Sequence, residues 1–289
     1  MEIAIISGKG GTGKSSVSAA FATLSKGVVL ADCDVDAANL YLLFNPENEE
    51  EEIYNGGQKA SINYDKCTNC GICTSYCRFD AIYFKGDLVT INSINCDGCV
   101  LCSRVCPEKA ITMIPNDDSR MLTGSFRNGK MVYGRLAPGE ENSGKLVNMV
   151  RDKAKKLSFE NNLDTIILDG PPGTGCPVIS TITGADKIIV VTEPTISGFN
   201  DMIRVLEVIK KFSTKPYVII NKHDLNRTMS EKIQQWCVEN NITVAGYLPF
   251  STEMVNAMVE GKSITEFDPE HIISKKLAVI WQEILDESD

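Results

Sequence analysis

The chain has 289 residues, of which 43% are apolar, so it can bury a sizeable core as one large α/β domain or two modest ones. Its formal net charge of −9 argues against non-specific nucleic-acid binding, which needs a basic surface. No apolar run approaches the roughly 18 residues of a membrane-spanning helix, and the chain starts without the basic and apolar regions of a signal peptide. A cytoplasmic protein without a membrane span or a nucleic-acid partner is therefore expected.

The first predicted elements form a strand–loop–helix unit. Residues 2–7 predict a buried strand and 15–25 a helix, and Gly8 to Ser15 between them read G-x-x-x-x-G-K-S. This pattern is typical of a phosphate-binding loop, in which backbone N–H groups face the phosphates. Lys14 adds a positive charge at the outer phosphates, and the Ser15 hydroxyl can hold Mg²⁺. The predicted nucleotide contacts in the loop are Gly8, Gly10, Gly11, Thr12, Gly13, Lys14, Ser15 and Ser16.

Two aspartates and a further lysine stand near this loop in the sequence. A second buried strand is predicted over 28–32, where Asp32 ends the strand and Asp34 follows it. Ligands of open α/β sheets gather at the carboxyl ends of strands, so we place both carboxylates in the nucleotide site rather than in a turn cap. Lys9 is a second lysine at the front of the loop, and the loop pattern by itself gives it no role.

An acidic run, ENEEEE, occupies residues 47–52. Its charges could form a docking patch, but such runs are far more often solvated. We therefore predict a solvated loop.

The cysteines form the most specific pattern in the chain. Eleven cysteines without an export signal favour metal binding over a disulfide framework. Eight of them form two runs with the spacing C-x2-C-x2-C-x3-C, which is typical of bacterial ferredoxins. The runs start 29 residues apart, and the pairs Ala81-Ile82 and Ala110-Ile111 repeat with the same offset, so the segment is a duplicated unit.

This unit is predicted to hold two four-iron, four-sulfur clusters. In this arrangement the fourth cysteine of each run ligates the other cluster. One cluster is therefore assigned to Cys67, Cys70, Cys73 and Cys106, and the other to Cys96, Cys99, Cys102 and Cys77. A pair of zinc sites is the alternative, although zinc ribbons rarely use four cysteines in one run. The fourth cysteine is followed by Pro107 in the second run and by Arg78 in the first. Because the positive charge of Arg78 would favour the reduced state of a nearby cluster, the two cluster potentials are expected to differ.

The remaining elements alternate between strands and helices, which predicts a mostly parallel sheet covered by helices on both faces. Strands are predicted over 164–169, 187–192, 216–221 and 242–249, and helices over 178–185, 198–212, 228–240 and 251–260. Residues 118–136 predict a hairpin that turns at Asn128-Gly129. A one-sided helix over 270–286 is predicted to dock on the domain rather than to anchor it in a membrane.

The two-cluster unit of 58–117 thus interrupts one discontinuous domain of 1–57 and 118–289, between its second and third predicted strands. Insertion into a surface loop is tolerated when the ends of the insert lie close together. The predicted fold is therefore an α/β phosphate-loop domain interrupted by a small α+β ferredoxin-type domain.

Two later segments add to the predicted nucleotide site. Asp169 ends the third strand, where it would hold Mg²⁺ through water, and the Gly170–Gly173 stretch GPPG predicts a tight loop that senses a terminal phosphate. Asn221 opens the sequence NKHD, which is the pattern with which GTPases read guanine, and this short match leaves the base open. Cys33 and Cys237 are expected to be small buried residues, whereas Cys176 stands close to the phosphate-sensing loop.

With these motifs in hand, the sequence resembles the deviant Walker A ATPases, the superfamily of MinD, ParA, Mrp and the nitrogenase iron protein. The resemblance spans residues 1–45 and 140–270 and rests on KGGTGKS. The stretches DGPPGTGCPV, VTEPTISGFND and EENSGKLV are similar to the subgroup that carries an inserted ferredoxin domain.

The resemblance implies a role for each site residue. Lys9 would cross a dimer interface to the phosphates bound by the other subunit, so an ATP-dependent homodimer is expected. Asp34 would position or activate the attacking water, while Asp32 and Asp169 would serve Mg²⁺ through water. Asn221 would read the base, and the superfamily suggests adenine, so an ATPase is predicted.

Three functions are weighed on this basis, partly by analogy of fold. The first is ATP-gated electron transfer from the two clusters to a protein partner whose identity is unknown. The second is an assembly carrier for clusters or metallocofactors, similar to Mrp, although the chain lacks the C-x-x-C pair that holds a bridging cluster there. The third is a partitioning switch, against which the missing basic surface and membrane helix count. We place electron transfer first.

Overall fold

The structure is a computed structural model that describes residues 1–140 and 143–287. Its strands are β1 Glu2–Ser7, β2 Val28–Asp32, β3 Glu47–Tyr54, β4 Gln58–Ile62, β5 Ile82–Lys85, β6 Leu88–Ile91, β7 Ile111–Pro115, β8 Ser119–Phe126, β9 Gly129–Arg135, β10 Thr165–Pro172, β11 Lys187–Thr192, β12 Pro216–Asn221 and β13 Thr243–Leu248. Its helices are α1 Lys14–Leu24, α2 Leu40–Phe44, α3 Ile72–Tyr76, α4 Leu101–Val105, α5 Ser143–Asn161, α6 Cys176–Ile182, α7 Ile196–Ile209, α8 Arg227–Glu239, α9 Glu253–Val259, α10 Ile264–Phe267 and α11 Ile272–Asp286.

A nine-stranded sheet lies at the centre, in the order β13-β12-β11-β1-β10-β2-β9-β8-β3. The strands from β13 to β9 run parallel, and β8 and β3 are added antiparallel at one edge. The central strands are apolar at nearly every position because both faces of the sheet are covered. The predicted α/β fold with a mostly parallel sheet is confirmed.

Successive residues of each strand supply two separate cores. On β1, Ala4 and Ile6 face a core built with α5, α6, α7 and α8. Ile3 and Ile5 face the opposite core, which α1, α9, α10 and α11 close. The predicted final helix docks here, where Trp281 stacks on Phe21 with ring centroids 4.6 Å apart. Within the described residues no helix is long and apolar enough to cross a membrane.

The acidic run is a strand, so the prediction of a loop is wrong. Its glutamates are exposed, but β3 pairs along its length with β8 at the edge of the sheet. Four of its five glutamates meet a cation from a neighbouring element: Lys130 pairs with Glu49 at 2.7 Å, Arg120 with Glu51 at 2.8 Å, and Lys153 with both Glu50 and Glu52. Because these cations lie far away in sequence, the run itself carries no strand signal.

The predicted hairpin is present as β8 and β9, and its turn is shifted by one residue. The two loop residues are Arg127 and Asn128, and Gly129 already pairs with Phe126. A Cβ at Gly129 would lie 2.0 Å from the Val28 carbonyl oxygen, so this position accepts only glycine. The sequence did not reveal that β9 joins the parallel sheet beside β2.

Residues 58–117 leave the sheet after β3 and return to it at β8. They form two small sheets, β4-β7 and β5-β6. Along the chain, α3 connects β4 to β5 and α4 connects β6 to β7. A third core joins the cysteines to apolar side chains such as Ala60, Ile82, Val89 and Ile111. Both ends of the segment lie together because Tyr54 and Ser119 are paired in the sheet.

Candidate functional site

The loop between β1 and α1 has the shape that its glycines allow. Gly11 and Gly13 have φ of 81° and 91°, in the left-handed region that favours glycine. A Cβ at Gly13 would lie 2.3 Å from the Asn221 amide nitrogen, and one at Gly8 would lie 2.4 Å from the Asp201 backbone. Neighbouring strands and helices therefore enclose the loop tightly.

Lys14 opens α1 and points at a group of carboxylates. Its ammonium lies 2.8 Å from Asp169 Oδ2 and 3.9 Å from Asp34 Oδ2. Burial by itself lowers the pKa of Lys14, but Asp169, Asp32 and Asp34 outweigh that effect and raise the pKa above its usual value. Lys14 is therefore a fixed positive charge in this site.

Asp169 is the centre of the hydrogen-bond network. It is fully buried, and it accepts hydrogen bonds from Ser15 Oγ at 2.8 Å and from Ser18 Oγ at 2.6 Å. The structure thus brings together two of the three residues predicted to serve Mg²⁺, Ser15 and Asp169. Ser18 was not predicted, because it is one helical turn beyond the loop pattern.

Asp32 holds the segment that follows β2. Its carboxylate accepts hydrogen bonds from the backbone N–H groups of Asp34, Asn39 and Leu40 at 3.0 to 3.1 Å. Burial and the neighbouring Asp169 raise the pKa of Asp32 to about 7, although Lys14 acts against this shift. Asp32 therefore shapes the wall of the site, whereas Asp34 reaches its interior.

A cavity of about 550 Å³ lies over the loop. Its lining residues are Ser7, Gly10, Gly11, Thr12, Gly13, Lys14, Ser15, Ser16, Asp34, Asp36, Ala37, Asn39, Pro171, Pro172, Gly175, Pro177 and Val178. Burial raises the pKa of Asp34 and of Asp36, and Asp36 was not predicted. The Thr12 hydroxyl is buried and has no hydrogen-bond partner in the part of the chain that the structure describes.

The stretch predicted as a phosphate-sensing loop is partly strand. Gly170 to Pro172 continue β10, and the turn starts at Gly173, whose φ is 95°. The Gly173 N–H donates to the Ser7 carbonyl oxygen at 2.9 Å. Pro171 and Pro172 line the cavity because the strand itself extends beside the loop.

Lys9 lies at the rim of the site: it belongs to the loop, but its side chain is not among those that line the cavity. Its ammonium is 2.6 Å from Glu193 Oε1 and donates to Ser197 Oγ at 3.0 Å. Lys222 pairs with Glu193 Oε2 at 2.9 Å and also donates to the Gly11 carbonyl oxygen. Burial acts to raise the pKa of Glu193, yet the two lysines outweigh it and lower that pKa. Glu193 was not predicted as a site residue.

Asn221 holds the phosphate loop by a hydrogen bond to its backbone. It is 9% exposed, and its amide nitrogen donates to the Thr12 carbonyl oxygen at 2.8 Å. Asp224, the last residue of the NKHD stretch, accepts a hydrogen bond from the Phe250 N–H at 2.7 Å. Oδ1 of this exposed carboxylate therefore fixes a neighbouring loop.

The eight cysteines of the two runs gather in two groups of four. Cys67, Cys70, Cys73 and Cys106 line one small apolar cavity, and Cys77, Cys96, Cys99 and Cys102 line a second. These are the sets that the spacing predicted. Backbone N–H groups face two of the sulfurs, from Ala110 to Cys106 Sγ at 3.3 Å and from Ala60 to Cys96 Sγ at 3.5 Å.

Burial raises the pKa of two of these thiols and that of two cysteines outside the groups, Cys33 and Cys237. It raises the pKa of Cys102 to about 11 and also raises that of Cys73. Among residues 1–140 and 143–287, no three His, Cys, Asp or Glu side chains are arranged to hold a single metal ion. Cys33 and Cys237 are buried, as expected, whereas Cys176 is exposed at the start of α6.

The fold and the loop geometry define a P-loop nucleotide-binding protein of the α/β class. Residues 3–264 match the family described as the CobQ/CobB/MinD/ParA nucleotide binding domain. The chain belongs to this family, and the resemblance to MinD and ParA is confirmed.

Known relatives extend over most of the chain. An uncharacterized protein of Methanocaldococcus jannaschii is 41% identical over 231 residues, which cover 78% of this chain and 79% of that protein. The septum site-determining protein MinD of Bacillus subtilis is 25% identical over 298 residues, which cover 99% of this chain and 89% of that protein.

Solved structures show the same fold. The cell division ATPase MinD of Pyrococcus furiosus matches with a TM-score of 0.59 at 19% identity, covering 98% of each chain. MinD of Pyrococcus horikoshii, solved as a complex with Mg-ADP, matches with a TM-score of 0.59 at 18% identity. The match covers 99% of this chain and 96% of that chain. At these identities the likeness is one of fold.

Proposed function

We propose that this protein is a Mg-dependent ATPase whose nucleotide cycle gates electron transfer from two four-iron, four-sulfur clusters to a partner protein. The observation that carries the proposal is that one chain combines a P-loop cavity with two separate groups of four cysteines. The electron donor and acceptor are one-electron redox proteins that the chain itself does not identify.

The cavity supports nucleotide binding. A Cβ at Gly10 or Gly11 would meet no atom within 4 Å, so the loop leaves space there for phosphates. The Thr12 hydroxyl has no partner among the described residues and would donate a hydrogen bond to a phosphate oxygen. The family is one of nucleotide-binding domains, and the Pyrococcus horikoshii relative holds Mg-ADP. Ser15 and Asp169 would hold the metal ion, and Lys14 would face the outer phosphates. Water would attack the terminal phosphate, with Asp34 orienting it, to give ADP and phosphate.

The cysteine groups support iron–sulfur binding. Thiolates are the usual ligands of such clusters, and backbone N–H groups that face the sulfurs help to set their potentials. A four-iron cluster is larger than one ion, and apolar side chains line both cavities. Bound clusters would supply one-electron carriers. On this proposal 58–117 is a ferredoxin-type domain inserted into an ATPase domain of 1–57 and 118–289, in a cytoplasm that keeps its thiols reduced.

The rim position of Lys9 supports a dimer. The Lys9 side chain is 27% exposed, pairs with Glu193 and does not join the residues that line its own cavity. In the proposed ATP-bound homodimer, Lys9 leaves Glu193 and reaches the phosphates of the other subunit. The dimer would then form only when both subunits hold ATP, so hydrolysis would release it.

A second candidate function is a carrier for cluster or metallocofactor assembly. The observation that favours it is Cys176, which is exposed between the cavity-lining residues Gly175 and Pro177. Two such thiolates from a dimer supply only two ligands, so the cargo would need ligands from its client. Transfer of iron to an apo-protein, without net electron transfer, would favour this function over the first.

The iron content tests the proposal directly. Anaerobically purified protein is expected to contain about eight iron atoms per chain, because each cysteine group holds a four-iron cluster. Cys77→Ser is expected to damage the cluster whose other ligands are Cys96, Cys99 and Cys102, and to spare that of its own run. Iron analysis with electron paramagnetic resonance measures both effects. Cys237→Ser, at a buried cysteine outside the two groups, is the control. Stoichiometric zinc without charge-transfer absorption would refute the proposal.

The preferred base is a separate prediction. We expect ATP to bind more tightly than GTP, because the family includes MinD, which is solved as a complex with Mg-ADP in Pyrococcus horikoshii, and because one oxygen of Asp224 is already engaged with the Phe250 N–H. Competition of the two nucleotides against a fluorescent analogue measures this preference. Asp224→Asn should change the ratio little, since the amide oxygen can still accept the hydrogen bond. A preference for GTP in the parent protein would overturn the assignment as an ATPase.

A further inference from the structure

Lys59 is a buried lysine that joins the cysteine-bearing segment to the rest of the chain. It lies on β4 and is only 8% exposed. Its ammonium donates to the Cys96 carbonyl oxygen at 2.7 Å and to the Gly139 carbonyl oxygen at 2.6 Å. Burying an ammonium is costly unless hydrogen bonds hold it, so the two carbonyl groups fix its position between the two parts of the molecule.

On one side of Lys59, β4 holds the loop that starts at Cys96. The Ala60 N–H faces the Cys96 sulfur at 3.5 Å. The Gln58 carbonyl oxygen lies so close to Gly98 that a Cβ there would approach it to 2.3 Å. Three successive residues of β4 thus contact the loop that carries Cys96 and Cys99, so a displacement of β4 displaces this loop.

On the other side, the segment 136–139 leads to the nucleotide cavity. A Cβ at Gly139, whose φ is 73°, would lie 2.3 Å from the Ile94 carbonyl oxygen. The Leu136 N–H donates to the Val35 carbonyl oxygen at 2.9 Å. Val35 follows Asp34, which lines the nucleotide cavity. One path from the cavity to Cys96 therefore runs through Val35, the 136–139 segment and Lys59.

The remainder of this junction is loosely packed. A cavity of about 440 Å³ lies beside Lys59, between Ser93 and Ile94 on one side and Arg135 and Leu136 on the other. The residues that line the other cysteine cavity all fall within 62–111. The contact through Lys59 reaches the group of Cys77, Cys96, Cys99 and Cys102.

We propose that Lys59 is a positioning residue that couples the nucleotide cavity to the cluster held by Cys77, Cys96, Cys99 and Cys102, so that nucleotide binding changes the potential of this cluster selectively. The inference rests on the proposed function. A nucleotide that moves Asp34 pulls on 136–139, which shifts the Lys59 ammonium relative to Cys96. Because a positive charge favours the more negative reduced cluster, this movement changes its potential.

The test is a redox titration of the anaerobic full-length protein, followed by electron paramagnetic resonance, with and without a non-hydrolysable ATP analogue. Cys77→Ser identifies which signal belongs to which cluster. We call the cluster held by Cys77, Cys96, Cys99 and Cys102 the Cys96 cluster. In the parent protein the analogue is expected to change its reduced-to-oxidised ratio on the order of tenfold, which is a potential shift of about 59 mV for one electron. The cluster of Cys67, Cys70, Cys73 and Cys106 is expected to shift far less.

Lys59→Met is expected to lower the potential of the Cys96 cluster and to abolish its nucleotide response, and Lys59→Arg to restore part of both. Lys187→Met is the matched control. Lys187 is similarly buried and also donates to two backbone carbonyl groups, those of Ile284 and Glu287, at a site without cysteines. This control should leave both potentials and the response unchanged.

Gly139→Ala provides a second variant, because it keeps the Lys59 side chain and every cysteine but strains the backbone that contacts Ile94 and accepts the Lys59 hydrogen bond. It too should abolish the nucleotide response. The inference is overturned if both clusters respond equally or if Lys59→Met and Gly139→Ala keep the full response. A parent protein that holds no clusters overturns the proposed function as well, which separates the two failures.

Discussion

Replacing Lys9 by alanine is expected to lower the rate of ATP hydrolysis on the order of a thousandfold while leaving ATP binding intact. A cation supplied in trans to the transferred phosphoryl group has an effect of about this size. In the structure Lys9 pairs with Glu193 and is not among the residues that line the cavity of its own subunit, so its loss leaves those lining side chains in place. Phosphate release measures hydrolysis, and light scattering with and without ATP measures dimerisation, which Lys9→Ala should also abolish.

Two further variants serve as controls for the effect of Lys9→Ala. Lys14→Ala should abolish nucleotide binding itself, because Lys14 is the buried cation inside the cavity. Lys211→Ala, an exposed lysine just beyond α7, should behave as the parent protein. Hydrolysis by Lys9→Ala at the parental rate would show that Lys9 is an ordinary loop residue, and the trans-acting dimer would then be rejected.

The second large effect is expected at Gly13. Gly13→Ala should weaken ATP binding on the order of a hundredfold. A left-handed backbone costs a residue with a Cβ about 1–2 kcal/mol, and here the new Cβ would also lie 2.3 Å from the Asn221 amide nitrogen. The loop cannot keep both its curvature and its contact with Asn221, so the backbone N–H groups lose their arrangement around the phosphates. Isothermal titration calorimetry with ATP measures the loss.

Gly10→Ala is the matched control for this substitution. A Cβ at Gly10 would meet no atom within 4 Å, so the loop can accept it without distortion. ATP affinity should then change less than about tenfold. Equal losses in the two variants would mean that the loop is rebuilt when nucleotide binds, and that its shape in the free protein does not determine affinity.

The parts of the site that local patterns encode were predictable. The loop from Gly8 to Ser16, the position of Asp169 at the end of a strand and the two cysteine sets all follow from spacing within short stretches. Contacts between distant stretches were not predictable in this way. Glu193 pairs with Lys9 and Lys222, and nothing in its immediate neighbours indicates that two lysines will meet there.

Two elements of the fold were missed, for different reasons. The acidic strand β3 is stabilised by Lys130 and Lys153, which follow it by many residues, so its own sequence predicts a loop. The long helix α5 was also missed, although its buried residues Leu146, Val150, Ala154 and Leu157 recur with the spacing of an amphipathic helix, so here the sequence did carry the signal. For β3, pairing with a neighbouring strand outweighs local composition.

The strand order also determines when each part can form during synthesis. Both partners of β1, the strands β10 and β11, follow residue 117 in the chain. By contrast, β4 to β7 pair only among themselves. On the ribosome, the cysteine-bearing segment therefore emerges with all its pairing partners before β1 has any. We expect it to fold first, so that cofactor loading can precede completion of the nucleotide site.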